Sequence, residues 1–245
     1  MPASAPTIIA SSIGFVRGPR GPYDWRPGGI FAFAAELARS GPRPRLCFVT
    51  TAVGDDPVLR SAILSAFVGT DFDVSVLALF PMPSVEDMGS HLRSQDVVWV
   101  GGGSTANLLA VWRVHGVDQI LRACWEQGVV LGGVSAESLC WHSGGTTDSF
   151  GPTLAPITDC LAFVPWSNCP HYDSEEQRRP LYQRLVAERR LASGYATDDG
   201  AAVVYRGTEV VDVVTERDAA AAYFVEATDT GMTETRLDAR LLSGP

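Results

Sequence analysis

The stretch VVLGGVSAESLCW, residues 129–141, runs from a short apolar segment through two glycines to Ser135 and then into a helix-compatible segment. An apolar run of this length that ends at glycines is typical of a buried strand, and the residues after Ser135 favour a helix. A serine on a sharp strand-to-helix turn is either a nucleophile held out of the chain or an ordinary turn residue. Since Gly-x-Ser is a common pattern, this stretch alone leaves both interpretations open.

The N-terminal half of the chain repeats the same alternation of apolar runs and amphipathic segments. The strand-like runs are residues 7–13, 45–52, 73–80, 96–100 and 129–134. The helix-like segments are residues 28–41, 57–69, 84–95 and 106–128, the last with a possible break at Gly116. Runs that are continuously apolar indicate strands covered on both faces, and alternating β and α units predict a parallel sheet between helix layers. We therefore expect a single α/β domain over residues 1–245.

The C-terminal half lacks this regular alternation of apolar runs and amphipathic segments. Residues 142–159 are rich in turn formers and predict a loop region, and residues 161–168 are a possible strand. Residues 174–190 predict a charged helix with an apolar stripe. Residues 194–216 predict one or two hairpins, with a turn at Arg-Gly-Thr-Glu, residues 206–209.

Composition excludes several classes of function. The net charge of −9 argues against nucleic acid or an anionic membrane as a partner, because both require basic patches. The chain has no apolar run long enough to span a bilayer and no signal-peptide pattern at its start, so we expect a cytoplasmic protein. The five cysteines are widely spaced and predict buried apolar residues rather than disulfides or metal ligands. No metal or other cofactor is expected.

Two further turns follow predicted strands, at the edge of a parallel sheet where sites collect. The first is Val-Gly-Gly-Gly-Ser-Thr, residues 100–105. It lacks the lysine of a P-loop and the spacing of a dinucleotide fingerprint, so nucleotide binding has little support. The backbone amide of Gly102 or Gly103 can instead serve as an oxyanion donor, with the amide of Ala136 as the other. A simple tight turn is the alternative.

The second turn, Asn-Cys-Pro-His-Tyr-Asp, residues 168–173, contains the best candidate for a general base. His171 follows a probable strand, whereas His142 would be carried away from Ser135 on the following helix. A base of this kind needs an acidic partner. Asp198 and Asp199, at a turn after a strand-like run, are the first candidates, and Asp148 and Asp173 are rivals. The remaining histidines, His91 and His115, are expected to be surface or structural residues.

Taken together, VGGGSTANLL, GVSAES and PHYD followed by DDGAA resemble the peptidase E family of serine peptidases, which includes α-aspartyl dipeptidases and cyanophycinases. The resemblance covers residues 96–206, in the same order, and extends more loosely over the N-terminal strands. It implies a three-layer α/β/α sandwich with a mostly parallel central sheet, as in class I glutamine amidotransferases. It also implies that Ser135 is the nucleophile and His171 the base, with no cofactor and a possible homodimer.

The resemblance further implies that Asp199 is the acid, at a position where the best-known dipeptidase of the family has glutamate. It assigns the oxyanion hole to the glycine triplet, through Gly102 and Gly103, and to Ala136. The order nucleophile, histidine, acid differs from that of α/β-hydrolases, where the acid precedes the histidine.

The chain departs from the family pattern at three places. Glu137 stands where the family usually has glycine, which makes the elbow more crowded or more acidic, and Ser104 stands where the dipeptidases often have asparagine. The segment after His171 is shorter than in the aspartyl dipeptidases, which argues against a strict preference for N-terminal aspartate. Arg178 and Arg179 can bind a substrate carboxylate or can pair with neighbouring glutamates. Asp148 can line the pocket or serve a turn.

The sequence thus predicts a serine peptidase that cleaves small peptides, dipeptides above all. Two alternatives are hydrolysis of another amide or ester and a degenerate site on a binding protein.

Overall fold

The computed structural model describes residues 3–242, and of residues 136 and 137 it describes the backbone alone. In chain order the elements are β1 (Thr7–Ser11), β2 (Phe15–Arg17), β3 (Trp25–Pro27), α1 (Gly29–Leu37), β4 (Arg45–Val49), a 3₁₀ turn (Thr51–Val53), α2 (Pro57–Ala66), β5 (Asp73–Leu77), α3 (Met88–Arg93), β6 (Val97–Val100), α4 (Thr105–His115), α5 (Val117–Glu126), β7 (Val130–Val134), α6 (Ala136–Cys140), β8 (Gly144–Thr147), β9 (Ala155–Ile157), β10 (Ser167–Cys169), α7 (Arg178–Ala187), β11 (Gly194–Thr197), β12 (Ala201–Arg206), β13 (Glu209–Thr215), β14 (Ala221–Thr228), β15 (Gly231–Asp238) and β16 (Arg240–Leu241).

The larger sheet has the strand order β16-β13-β12-β1-β7-β6-β4-β5. The neighbouring strands β1, β7, β6, β4 and β5 pair in parallel, whereas β12 is antiparallel to both β1 and β13. Helices α1 and α2 pack on one face of this sheet, and α4 and α5 pack on the other. The expected α/β/α layering with a mostly parallel central sheet is confirmed.

The central strands are apolar throughout because both of their faces are buried. In β6, Val98 and Val100 contribute to the core on one face of the sheet, and Val97 and Trp99 to the core on the other. β1 and β4 alternate in the same way. Burying both faces removes much more apolar area from water than a half-exposed sheet would, which explains the continuous apolar runs.

The glycine at position 132 makes room for a tryptophan on the neighbouring strand. A Cβ atom at Gly132 would lie 2.4 Å from Cε3 of Trp99. The Trp99 ring is 1% exposed and packs edge-on against Phe31, with ring centroids 5.0 Å apart. The ring therefore has little space into which it can withdraw.

We expect Gly132→Ala to lower the free energy of unfolding by about 2 kcal/mol, because overpacking a filled core forces neighbouring side chains off their preferred rotamers. Denaturant unfolding would measure the loss. Gly41→Ala is the matched control, because a Cβ atom there meets no atom within 4 Å. Equal unfolding midpoints for the two variants would show that the Trp99 ring can yield.

A second sheet, of order β15-β14-β11-β10-β8-β9, occupies the C-terminal half. The prediction of a loop over residues 142–159 is wrong in part, since β8 and β9 lie there and pair with each other. The glycines that suggested a loop serve close backbone contact instead. A Cβ atom at Gly145 would lie 1.9 Å from the carbonyl oxygen of Asn168 on β10.

Two other C-terminal predictions need correction. The possible strand at residues 161–168 shortens to β10, because the amides of Leu161 and Phe163 donate to the end of α6, at Cys140 and Trp141. The segment 194–201 is not a hairpin, because β11 belongs to the second sheet and β12 to the first. The turn predicted at residues 206–209 is confirmed and joins β12 to β13.

Two local predictions in the rest of the chain are confirmed. Gly116 adopts a left-handed conformation that separates α4 from α5. The five cysteines are free thiols, and all except the partly exposed Cys160 are buried.

Candidate active site

Ser135 lies on the turn between β7 and α6, with φ 65° and ψ −120°. This conformation is sparsely populated for residues with a side chain and costs free energy that the surrounding structure must supply. The neighbouring strands supply that support. The Ser135 amide donates to the carbonyl of Ser11 at the end of β1, at 3.1 Å, and β7 pairs with β6 on its other side. The strained turn is thus fixed between two strands.

The glycine triplet follows β6 and lies beside that turn. The Gly101 amide donates to Val49 at 3.0 Å, and the Ser104 amide donates to Ala52 at 2.9 Å. Gly103 has φ 149°, a conformation that side chains rarely allow. Ser104 starts α4, since its hydroxyl accepts a hydrogen bond from the Asn107 amide. A serine at this position therefore has a capping role in this chain.

His171 and Asp199 meet at the carboxyl end of the second sheet. β10 and β11 are adjacent and parallel, so the residues that follow them lie side by side. Nδ1 of His171 donates a hydrogen bond to Oδ1 of Asp199. This bond, chiefly, lowers the pKa of the Asp199 carboxyl below its ordinary value. Since a carboxylate only accepts, the shared proton belongs to Nδ1, and in the neutral form of the imidazole Nε2 then carries the lone pair.

The neighbouring acids are used differently. Asp198 is buried and accepts from the Ala221 amide at 3.1 Å and the Tyr223 hydroxyl at 3.3 Å. Burial raises the pKa of Asp198. Asp173 accepts from the Asp199 amide at 2.8 Å and forms an ion pair with Arg217. Of these three acids, Asp199 is the one that contacts His171.

Two hydrogen-bond systems connect His171 and strand β10 to the elements next to Ser135, which are the end of β1 and helix α6. The Ser12 hydroxyl, one residue beyond β1, accepts from the His171 amide at 3.1 Å and contacts the Thr197 hydroxyl at 2.8 Å. The Ser138 hydroxyl, in α6, donates to the Asn168 side chain at 2.8 Å. Sequence reasoning missed both. The signal for Ser12 was its position at the carboxyl end of a predicted strand.

Ser135 lies in a small polar pocket of about 290 Å³. Two of the predicted substrate-binding residues, Asp148 and Arg178, line the same pocket, together with Glu175. Arg178 is 3% exposed and donates to Glu175 and to the Thr146 carbonyl, at 2.8 and 2.7 Å. Arg179 instead pairs with Glu234 at the surface of the second sheet.

His171 and Asp199 line a second and larger pocket, of about 550 Å³. Gly102 and Val134 line it too, and the residues that follow them, Gly103 and Ser135, line the smaller pocket. The two pockets therefore adjoin along the glycine triplet and the turn at Ser135.

His142 is a structural residue. It is fully buried, with Nδ1 2.7 Å from the Ser138 carbonyl and Nε2 3.0 Å from the Tyr205 hydroxyl. Since a carbonyl only accepts, Nδ1 donates and Nε2 accepts. Burial lowers the pKa of His142 to about 3, so the ring is neutral at physiological pH. His91 lies beside Ser75 and Cys47, and His115 ends α4.

Among the side chains that the structure describes, no group of three or more from His, Cys, Asp or Glu is arranged to hold a metal ion. No helix within residues 3–242 combines the length and apolarity needed to cross a bilayer. The side chain of Glu137, which departs from the family pattern, lies outside the described residues.

A serine on a strained turn at the carboxyl edge of a mostly parallel sheet, in a pocket that adjoins the pocket of a hydrogen-bonded histidine and aspartate, suits a serine-type hydrolase with a class I glutamine amidotransferase-like fold. The model of peptidase family S51 matches residues 32–213. The chain belongs to this family, that of peptidase E, and is a serine-type peptidase.

A relative by sequence agrees with this assignment, and two solved structures share the fold. The chain is 42% identical over 200 residues to the uncharacterized peptidase YgaJ of Bacillus subtilis (strain 168), covering 82% of this chain and 86% of the relative. A "Putative Peptidase E Protein" from Listeria monocytogenes EGD-e superposes with a TM-score of 0.60 at 20% identity, over 86% of this chain and 99% of its own. A peptidase from an acI-B1 Actinobacterium superposes with a TM-score of 0.62 at 15% identity, over 96% and 95% of the two chains.

Proposed function

We propose that this peptidase is a dipeptidase that works through a triad of Ser135, His171 and Asp199. The observation that carries the proposal is the hydrogen bond from His171 to Asp199, in a pocket that adjoins the pocket of the strained Ser135. Asp199 holds the imidazole in the tautomer whose Nε2 is free to accept the Ser135 proton. Ser135 then attacks the peptide carbonyl, and an acyl-enzyme forms as His171 returns the proton to the leaving amine. Water, deprotonated by His171, releases the acyl group.

The oxyanion of each tetrahedral intermediate needs fixed donors. We assign this role to the amide of Ala136, the residue after the nucleophile, and to an amide of the glycine triplet, from Gly102 or Gly103. The position of the glycine triplet in the fold supports this assignment. The triplet follows the strand adjacent to β7, and its residues line both pockets at the point where they adjoin. Glycine backbone can approach a substrate closely because it carries no side chain.

The pocket of Ser135 suits the first residue of a dipeptide in size and charge. The pocket holds about 290 Å³, which is room for a short acyl residue rather than a folded chain. Asp148 offers a carboxylate to a free ammonium group, and the guanidinium of Arg178, which pairs with Glu175, must exchange that partner to bind a carboxylate on the acyl residue. The first residue of the substrate therefore includes Asp and Glu among its leading candidates.

Hydrolysis of a dipeptide library tests the proposal. The library has Asp, Glu, Gly and Leu at its first position, with simple esters and N-acetylated dipeptides assayed beside it. We expect turnover of free dipeptides, and weaker turnover when acetylation removes the ammonium group that Asp148 would bind. Ester turnover with no dipeptide turnover would favour another acyl substrate. A folded protein that neither hydrolyses the library nor reacts with a fluorophosphonate would favour a degenerate binding protein.

A further inference from the structure

The acyl transfer proposed at Ser135 leaves the pocket beyond His171 unfilled. In the proposed mechanism His171 donates its proton to the leaving nitrogen, so that nitrogen must come within hydrogen-bond distance of the imidazole. The residue that leaves with it then extends to the His171 side of the site, while the acyl residue stays with Ser135. The larger pocket, lined by His171 and adjoining the pocket of Ser135, lies on the leaving side.

We infer that this pocket is the subsite for the leaving residue and that it selects a large apolar, preferably aromatic, side chain. The inference rests on the proposed function, because it uses the direction of proton transfer by His171. The occupant is the C-terminal residue of a dipeptide whose first residue occupies the pocket of Ser135.

The walls of the pocket are aromatic. Phe15 and Trp25, on the paired strands β2 and β3, stack with ring centroids 5.0 Å apart, and both are half-buried. Phe48 and Trp99, each 1% exposed, contribute to the lining from the central sheet. Aromatic rings stack offset or edge-on against one another, so a phenylalanine or leucine side chain finds favourable partners on several sides.

The volume agrees with such an occupant. The pocket holds about 550 Å³, against about 290 Å³ for the pocket of Ser135, so the larger of the two residues fits on the leaving side. Small-molecule sites typically combine apolar walls with a few polar groups that fix orientation. Arg17, in the same strand as Phe15, brings a guanidinium to the lining and suits the C-terminal carboxylate of the leaving residue. Glu216 is engaged elsewhere, since its Oε1 accepts from the Ile30 amide at the start of α1, at 2.6 Å.

Steady-state kinetics with pairs of dipeptides test the subsite. The pairs share their first residue and end in Phe or in Gly. We expect kcat/KM to be roughly 10- to 100-fold higher for the Phe-ended member, the range that burial of one aromatic side chain supports. Trp25→Ala should remove most of that ratio while changing kcat/KM for the Gly-ended member by no more than about 3-fold, since glycine has no side chain to place in the pocket.

Two variants separate the subsite from general damage to the hairpin. Val16→Ala alters an exposed side chain on β2, outside the pocket lining, and should leave the Phe/Gly ratio unchanged. Trp25→Phe keeps an aromatic wall and should restore the ratio. Equal losses for Phe-ended and Gly-ended peptides in Trp25→Ala would overturn the inference.

Binding to Ser135→Ala, measured by calorimetry, distinguishes failure of the inference from failure of the proposed function. If the same dipeptides bind Ser135→Ala with a preference for C-terminal Phe, and Trp25→Ala abolishes the preference, the subsite holds even where hydrolysis is absent. Dipeptide hydrolysis that depends on Ser135 but shows no preference at the second position would leave the proposed function intact and overturn the subsite. Absence of any binding preference for Phe over Gly would overturn the subsite whatever the activity.

Discussion

We expect Ser135→Ala to lower kcat for the best dipeptide by roughly 10⁴- to 10⁶-fold, because the alanine leaves no nucleophile while the oxyanion donors and the binding pockets remain. KM should change much less, since the hydroxyl contributes little to binding the ground state. Steady-state turnover assays would measure the loss of kcat, and fluorophosphonate labelling would report whether a reactive serine remains. Labelling should disappear together with activity.

Ser143→Ala is the matched control for that substitution. Ser143 lies just beyond α6, its hydroxyl donates to the Trp166 carbonyl at 3.0 Å, and it lines neither pocket of the site. Activity should therefore persist in this variant. The double variant Ser135→Ala, His171→Ala should be no slower than Ser135→Ala alone, because residues that act as one unit are not additive. Activity in Ser135→Ala within tenfold of the parent protein would contradict the assignment of the nucleophile.

The central sheet was predictable because its strands have one dominant constraint. Strands such as β4 and β6 bury both faces, which leaves a continuous apolar run in the sequence, and the helices between them have clear start and stop signals. Gly116 is an example, since a glycine inside a helical pattern marks the end of one helix and the start of the next. Here local propensity and tertiary packing agree.

The second sheet was not predictable in the same way, because its strands are short and rich in turn-forming residues. β8 is the sequence Gly-Gly-Thr-Thr, whose composition indicates a loop. Its glycines are required by contact with β9 and β10, and those partners lie at least ten residues further along the chain. Contacts of this kind leave no local signal. The pairing of Phe15 with Trp25, which forms the wall of the larger pocket, escaped prediction for the same reason.

Within the site, the sequence singled out the elements but not every side chain. Ser135 and His171 were predictable from strand-end positions and from the resemblance to peptidase E. Asp198 and Asp199 were not separable by motif, because consecutive residues point in different directions and the sequence does not say which one faces the histidine. The structure separates them. Asp198 turns toward Ala221 and Tyr223, and Asp199 toward His171.

Because the two adjacent aspartates have different partners, substituting each in turn tests which one is the acid of the triad. We expect Asp199→Asn to lower kcat by roughly 10³- to 10⁴-fold, because an amide can donate to Nδ1 and so favour the tautomer with its proton on Nε2, where a base cannot act. The pKa of Asp199 is lowered by the bond from His171, so the parent carboxylate stays ionised throughout the neutral range, and the loss should persist at every pH from mildly acidic to alkaline. A kcat profile against pH would measure it.

Asp198→Asn is the control, because it makes the same chemical change one residue away. Its side chain accepts from Ala221 and Tyr223 through Oδ2, and the amide oxygen of asparagine can still accept those bonds. The pKa of Asp198 is raised by burial, so the substitution removes a charge that the fold does not favour, and kcat should stay within about 3-fold of the parent value. Were Asp198→Asn the more damaging of the two, the acid of the triad would be Asp198, and the bond from His171 to Asp199 would belong to the resting enzyme rather than to the reacting one.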